Sequence, residues 1–203
     1  MPTKQFDSIQ TLRAIAALWV VTFHTVGNAT TYGWTSRLTG PLAKHGEIGV
    51  DIFFIISGFI IAVISYGKST GFDAARRFMV ARATRVVPLY WLLTAIFALL
   101  FVIAPSAFGH AQLNLWHVVS SFLFIPSLNW SGIIAPVINV GWTLNYEVCF
   151  YALFTLAICI FERPAVAASG AVILLTLAHP LQKSGVIWNF YTNSIMLEFV
   201  AGI

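Results

Sequence analysis

Long apolar runs separated by short polar stretches organise the chain. Residues 8–26 form the first run, interrupted by Arg13 and His24, and residues 48–64 form the second, with Asp51 near its start and Ser57-Gly58 near its middle. A third run covers residues 86–104 and opens with Pro88 in a first-turn position, where a missing amide hydrogen is tolerated. Beyond Pro105 the pattern weakens: residues 113–125 are apolar but short for a crossing, so they read as a short span or a re-entrant segment. Trp142-Thr143-Leu144-Asn145-Tyr146-Glu147 leads into a helix to about Phe161, residues 165–178 form a further span, and a last one begins near Tyr191. At about 20 residues per crossing the pattern predicts an all-α fold, a polytopic transmembrane helical bundle with about six or seven spans. Continuous rather than alternating apolar runs argue against a transmembrane β-barrel.

Composition agrees. Hydrophobic residues make up 59% of the 203 and charged residues 9%, with a mean hydropathy of +0.85, against about 25% charged in an ordinary soluble domain. No length remains for a separate soluble domain, and we find no repeat, low-complexity segment or Gly-rich phosphate loop, so the simplest organisation is a single membrane-embedded domain over residues 1–203. The net charge of +4 comes mostly from one loop, Lys68, Arg76, Arg77, Arg82 and Arg85, and is no sign of nucleic-acid binding. By the positive-inside rule that loop is cytoplasmic, which places the N-terminus inside and the first loop, residues 27–47, outside. Asn28-Ala29-Thr30 in that loop matches a glycosylation sequon, a weak signal. Cys149 and Cys159 lie about 15 Å apart on one predicted helix, too far for a disulfide, and neither has a metal-ligand neighbour. The chain stops inside an apolar run, residues 198–203, as a truncated protein would.

The charged residues inside apolar runs need a reason. Arg13 and His24 are eleven positions apart, almost a whole number of helical turns, so they share a face about 16 Å apart along the axis. A charge in hydrocarbon costs at least about 2.5 kcal/mol, so such a face normally meets protein or a watery cavity. Two plainer readings stay open: Arg13 snorkels to the headgroups, or residues 4–29 are a signal peptide with a short apolar core. Antiparallel first and second helices would put Asp51 at the depth of His24. There it could orient the imidazole as a general base, or it could simply favour the positive end of its own helix. Arg82 and Arg85, three apart, present two guanidinium groups in one direction from the inner surface, which suits a diphosphate or several phosphates, or a plain positive-inside cluster on anionic lipid. Glu147 near a helix start is either partnered for a task or a dipole-stabilised end charge.

Four segments in this order resemble the membrane-bound acyltransferase 3 family, and within it the exopolysaccharide O-acetyltransferases. They are Leu12-Arg13-Ala14 to His24; Gly49-Val50-Asp51-Ile52-Phe53-Phe54 to Ser57-Gly58-Phe59; Arg82-Ala83-Thr84-Arg85 with Pro88-Leu89-Tyr90-Trp91; and Trp142 to Glu147 with Phe150-Tyr151. Glu198-Phe199 to Gly202 is similar to a fifth. Trp142-Thr143-Leu144 departs from the more usual Trp-Ser-Leu by a conservative hydroxyl swap. The family typically has about ten helices.

The resemblance implies a multi-pass protein of the bacterial inner (plasma) membrane. It would transfer an acyl group, usually acetyl from cytoplasmic acetyl-CoA, to a hydroxyl of a polysaccharide or lipid-linked saccharide. It also implies His24 and Arg13 as the helix-one functional pair, Glu147 as a further catalytic candidate, and Arg82 and Arg85 as the pair that holds coenzyme A; Asp51 joins the catalytic candidates on its matched depth alone. Acyl-CoA would be a donor substrate, with no tightly bound cofactor, no metal and no nucleic-acid partner. The rival reading is a transporter or flippase for a lipid-linked saccharide, in which the same charges line a passage and no covalent bond changes.

Overall fold

A computed structural model of the chain describes residues 7–31, 47–108, 112–182 and 185–203. Eight α-helices are described: α1 (Asp7–Thr31), α2 (Glu47–Ser65), α3 (Phe72–Ile103), α4 (Leu115–Phe122), α5 (Trp142–Ile160), α6 (Pro164–Leu177), α7 (Val186–Tyr191) and α8 (Leu197–Gly202). Short 3-10 turns connect several of them, and the described residues contain no strand. The fold is therefore all-α, as expected. Five helical stretches, lying in α1, α2, α3, α5 and α6, are long and apolar enough to cross a membrane. The first loop lies mostly outside the described residues, and α1 runs through the sequon to Thr31.

Contacts divide the chain into two compact units, residues 1–64 with 198–203, and residues 65–197. In the first, glycines set the packing. A Cβ at Gly49 would lie 2.6 Å from Val20 Cγ2 and 3.0 Å from the Ala16 carbonyl oxygen, so α2 begins against the middle of α1. Gly58 faces the Phe199 backbone, and Gly202 faces the backbone of Ile55 and Phe59. Phe54 stacks on Phe199 with 4.5 Å between ring centroids. Without a hydrophobic drive between helices in lipid, such small residues let backbones approach closely enough for dispersion to hold them. Gly58 of the Ser57-Gly58 pair is one such position.

In the second unit α3 and α5 run antiparallel. Gly71 N–H donates to the Ile158 carbonyl at 2.8 Å, Phe78 packs on Phe154 at 5.4 Å, and a Cβ at Gly141 would meet the Tyr90 ring at 2.9 Å. The core between these helices and α6 contains Phe150, Phe154, Ala157, Ala168 and Val172, all buried. Tyr146 stacks on Phe190 at 4.0 Å.

Two expectations change here. The third helix begins at Phe72, not near Val86, so Pro88 lies inside it rather than in its first turn. Residues 74–85 are rich in Ala, Arg and Met, strong helix formers, and Asp73 favours the N-terminal dipole, so the basic stretch is helical and only residues 66–71 remain as a connection. At 32 residues α3 is about 48 Å long, well beyond the roughly 30 Å of a hydrocarbon core. Secondly, of the two readings open for residues 113–125, a short span or a re-entrant segment, the helix they form is too short for a span. Because α3 and α5 are antiparallel neighbours, the chain leaves α3 and enters α5 at the same end. Between them α4, capped by Asn114 through a 2.6 Å bond from His117 N–H, has eight residues and is about 12 Å long.

Candidate active site

On α1 the less exposed positions are Ile9, Arg13, Ala16, Val20, Phe23, His24, Val26 and Gly27, spaced three or four apart in the manner of one helical face. Leu12, Ile15, Leu18, Trp19 and Val21 are exposed between them. Arg13 and His24 therefore share the covered face of α1, as their spacing predicts, and the apolar residues take the outer one. The His24 ring also sits edge-on to Phe23, with centroids 5.2 Å apart.

Asp51 is half-buried on α2. Since Gly49 nests against Ala16 and Val20, the start of α2 meets α1 about one turn short of His24, which lies four residues or about 6 Å beyond Val20. No hydrogen bond joins His24 and Asp51 among the described residues. The matched depth expected from two antiparallel helices is thus offset, because the missing side chain at Gly49 selects where the backbones come together.

In the second unit the packed face of α3 comprises Ala75, Phe78, Arg82, Val86, Tyr90 and Thr94, each at least half-buried. Arg82 lies in that face. Its guanidinium carbon is 5.6 Å from the Phe78 ring centroid and 5.8 Å from that of Tyr151. Each such contact is worth about 0.5–1 kcal/mol when exposed and about 2 when desolvated. The Tyr151 hydroxyl donates to Glu147 Oε1, one turn earlier on α5. Arg85 is exposed, and both arginines are close enough to act electrostatically on Tyr151. Glu147, Tyr151, Arg82 and Arg85 therefore form one neighbourhood.

Sequence reasoning had treated Glu147 separately and had not singled out Phe78 or Tyr151 as site residues. The available signal was the i, i+4 spacing of Phe78 to Arg82 and of Glu147 to Tyr151, which places each pair on one face. Depth is a further difference. Tyr151 is nine residues from either end of α5, about 13 Å, so Arg82 sits opposite the middle of a membrane-length helix and not at its end. Arg76 and Arg77, about one and a half turns nearer the start of α3, are exposed.

No solved structure matches the chain. The profile of the family described as "Acyltransferase domain" matches residues 6–203, nearly the whole chain. The chain belongs to the acyltransferase 3 family. The match covers both units and all six candidate site residues. Among curated relatives, the exopolysaccharide production protein ExoZ of Rhizobium meliloti is 38% identical over 170 residues, 81% of this chain and 51% of ExoZ. The peptidoglycan O-acetyltransferase OatA of Listeria monocytogenes is 27% identical over 178 residues, 79% of this chain and 25% of OatA. Protein 2 in the picA locus of Rhizobium radiobacter is 26% identical over 196 residues, 87% of this chain and 96% of that protein. The chain thus spans about half the length of ExoZ and a quarter of OatA.

Proposed function

We propose that this chain supplies the membrane-embedded core of an O-acyltransferase that moves an acyl group, acetyl in the simplest case, from acyl-CoA to a carbohydrate hydroxyl of the cell envelope. The reading rests on family membership and on relatives whose names specify exopolysaccharide production and peptidoglycan O-acetylation. The structural observation that carries it is Arg82. Its guanidinium lies over the Phe78 and Tyr151 rings, which are perpendicular to each other, and a planar N–H fork is what pairs bidentately with phosphate. Arg85 adds a second cation on the next turn.

In this proposal the basic end of α3 faces the cytoplasm, by the positive-inside rule, and Arg82 and Arg85 hold the diphosphate of coenzyme A. His24 takes the proton from the acceptor hydroxyl as its oxygen attacks the thioester carbonyl, the C–S bond breaks and the coenzyme A thiolate leaves and regains that proton; alternatively His24 itself displaces coenzyme A and passes the acyl group to the hydroxyl. Arg13, on the same face of α1, stabilises negative charge along the path. Asp51 is assigned to orient His24, a contact absent here and formed on substrate binding, since catalytic hydrogen bonds often tighten only in the loaded enzyme. Glu147, bonded to Tyr151, holds the ring on which Arg82 stacks. The test is the Michaelis constant for acetyl-CoA in full-length protein carrying Arg82→Ala with Arg85→Ala. A large rise supports donor binding. An unchanged value leaves these arginines as anchors for anionic lipid.

A further inference from the structure

The second unit contains a cavity of about 710 Å³ that the proposed chemistry does not use. It lies beyond the C-terminal end of α6, among α4, α7 and the segment after α4. Since α6 starts where α5 ends, beside Gly71, the cavity is at the end of this unit opposite the basic turn. Its volume is within the roughly 300–1,000 Å³ typical of ligand pockets. Trp116, Trp188 and Tyr191 supply aromatic walls, and Ser127, Thr192 and Gln182 supply polar groups. Ser127 and Thr192 are 6% and 1% exposed, whereas Trp116 is 58% exposed.

Two features narrow the ligand. The floor hydroxyls are held in place: Ser127 Oγ accepts from Ser120 Oγ at 2.7 Å and lies 3.2 Å from His117 Nδ1, while Thr192 Oγ1 donates to the Trp188 carbonyl at 2.8 Å and lies 2.6 Å from His179 Nδ1. Finally, two of the aromatic side chains direct their polar tips at backbone carbonyls. Tyr191 donates its hydroxyl to the Phe124 carbonyl at 3.0 Å, and Trp188 points its indole N–H at the His179 carbonyl at 3.4 Å. A membrane-interface belt has the reverse arrangement, with polar tips in the headgroups.

Flat π faces at the rim and fixed hydroxyls below suit a pyranose. Its C–H face carries partial positive charge and packs on an aromatic face, while its edge of hydroxyls needs hydrogen bonds. We propose that this cavity is a subsite for the carbohydrate acceptor, taking sugar units stacked on Trp116 and Trp188 with hydroxyls bonded at the floor. The assignment rests on the carbohydrate O-acyltransferase reading and its orientation, under which the cavity opens on the outer side.

The test is isothermal titration of full-length protein in phospholipid nanodiscs with chitotetraose and with cellotetraose. At least one should bind. Trp116→Ala and Trp188→Ala should each weaken that binding by about tenfold or more, and Trp116→Phe and Trp188→Phe should recover most of it because they keep a ring. The phenylalanine pair also separates lost stacking from lost folding. Binding of neither sugar, or equal binding by wild type and both alanine variants, overturns the proposal. So does quenching of Trp188 fluorescence by brominated phospholipid chains that neither sugar relieves, since that assigns the cavity to lipid. Titration requires no acyl transfer, so the two readings fail separately. Tryptophan-dependent sugar binding without ester formation would remove the transferase reading alone, and transfer with tryptophan-independent sugar binding would remove the subsite alone.

Discussion

Replacing Arg82 by alanine removes a cation whose surroundings are known in detail. The side chain is half-buried, with its guanidinium carbon 5.6 and 5.8 Å from the Phe78 and Tyr151 ring centroids, so its loss has two separable costs. The stacking contributes to stability, about 0.5–2 kcal/mol. The phosphate contact contributes to donor binding, and a hydrogen bond to a charged group is worth about 1.5–3 kcal/mol, or about 10- to 150-fold in affinity. Arg82→Ala should therefore raise the Michaelis constant for acetyl-CoA by one to two orders of magnitude and lower the melting temperature modestly. Arg82→Lys should recover only part, because a point charge keeps the Coulomb attraction and loses the fork. Tyr151→Phe separates the terms: the ring stays under the guanidinium while Glu147 loses the hydroxyl that binds it. Its donor constant should move less than that of Tyr151→Leu, which removes the ring. The assay is initial-rate kinetics on full-length protein in proteoliposomes, with thermal unfolding of each variant in parallel. A donor constant within twofold of wild type in folded, inserted Arg82→Ala would refute the assignment of Arg82 to phosphate.

Four other expectations follow from the same geometry. His24→Ala and His24→Gln should each reduce turnover by at least about a hundredfold at normal membrane levels, since general-base catalysis contributes about 10²–10⁴-fold; near-normal acetylation by His24→Gln would make His24 a packing residue. Gly58→Val should destabilise the protein by about 1–3 kcal/mol, because the new side chain meets the Phe199 backbone; a melting temperature equal to wild type would show that the α2–α8 contact does not form. Burial pushes the His117 imidazole below its usual 6.5, so the unfolded chain binds more protons than the folded one between the two values. Stability is then full above about 6.5 and falls as pH drops toward the lowered value, a loss that thermal unfolding at pH 7.5 and 5.5 should find in wild type and find reduced in His117→Gln. A cysteine at Ser69, in a background lacking Cys149 and Cys159, should resist an impermeant thiol reagent in intact cells and react after permeabilisation; labelling of intact cells would invert the topology.

What the sequence made legible was periodic and local. Arg13 and His24 share a face because eleven residues bring a helix round three times, and the structure keeps both on the covered stripe. The all-α class and the membrane-length runs were legible for the same reason, since apolar length is a property of a single segment. The start of α3 was not, because Arg76, Arg77, Arg82 and Arg85 read as a loop by charge although their backbone propensity is helical. Nor was the meeting of Tyr151 with Arg82, which depends on α5 lying antiparallel to α3 in one particular register. The offset of Asp51 from His24 turns on a single absent side chain at Gly49. The aromatic cavity was invisible for a similar reason: Trp116, Ser127 and Trp188 are scattered along the chain, and only the return of the chain to the same end of α3 and α5 gathers them.

The measurement that bears most directly on the central claim is acetyl transfer itself. Membranes containing the full-length protein, incubated with acetyl-CoA radiolabelled in the acetyl group and with envelope polysaccharide, should yield polysaccharide carrying label in an ester released by mild base. Membranes with His24→Gln, or with the Arg82 and Arg85 alanine pair, should not. Saccharide crossing the membrane with no ester-linked label in the wild-type protein would contradict the account, since the same charged residues would then line a transport path.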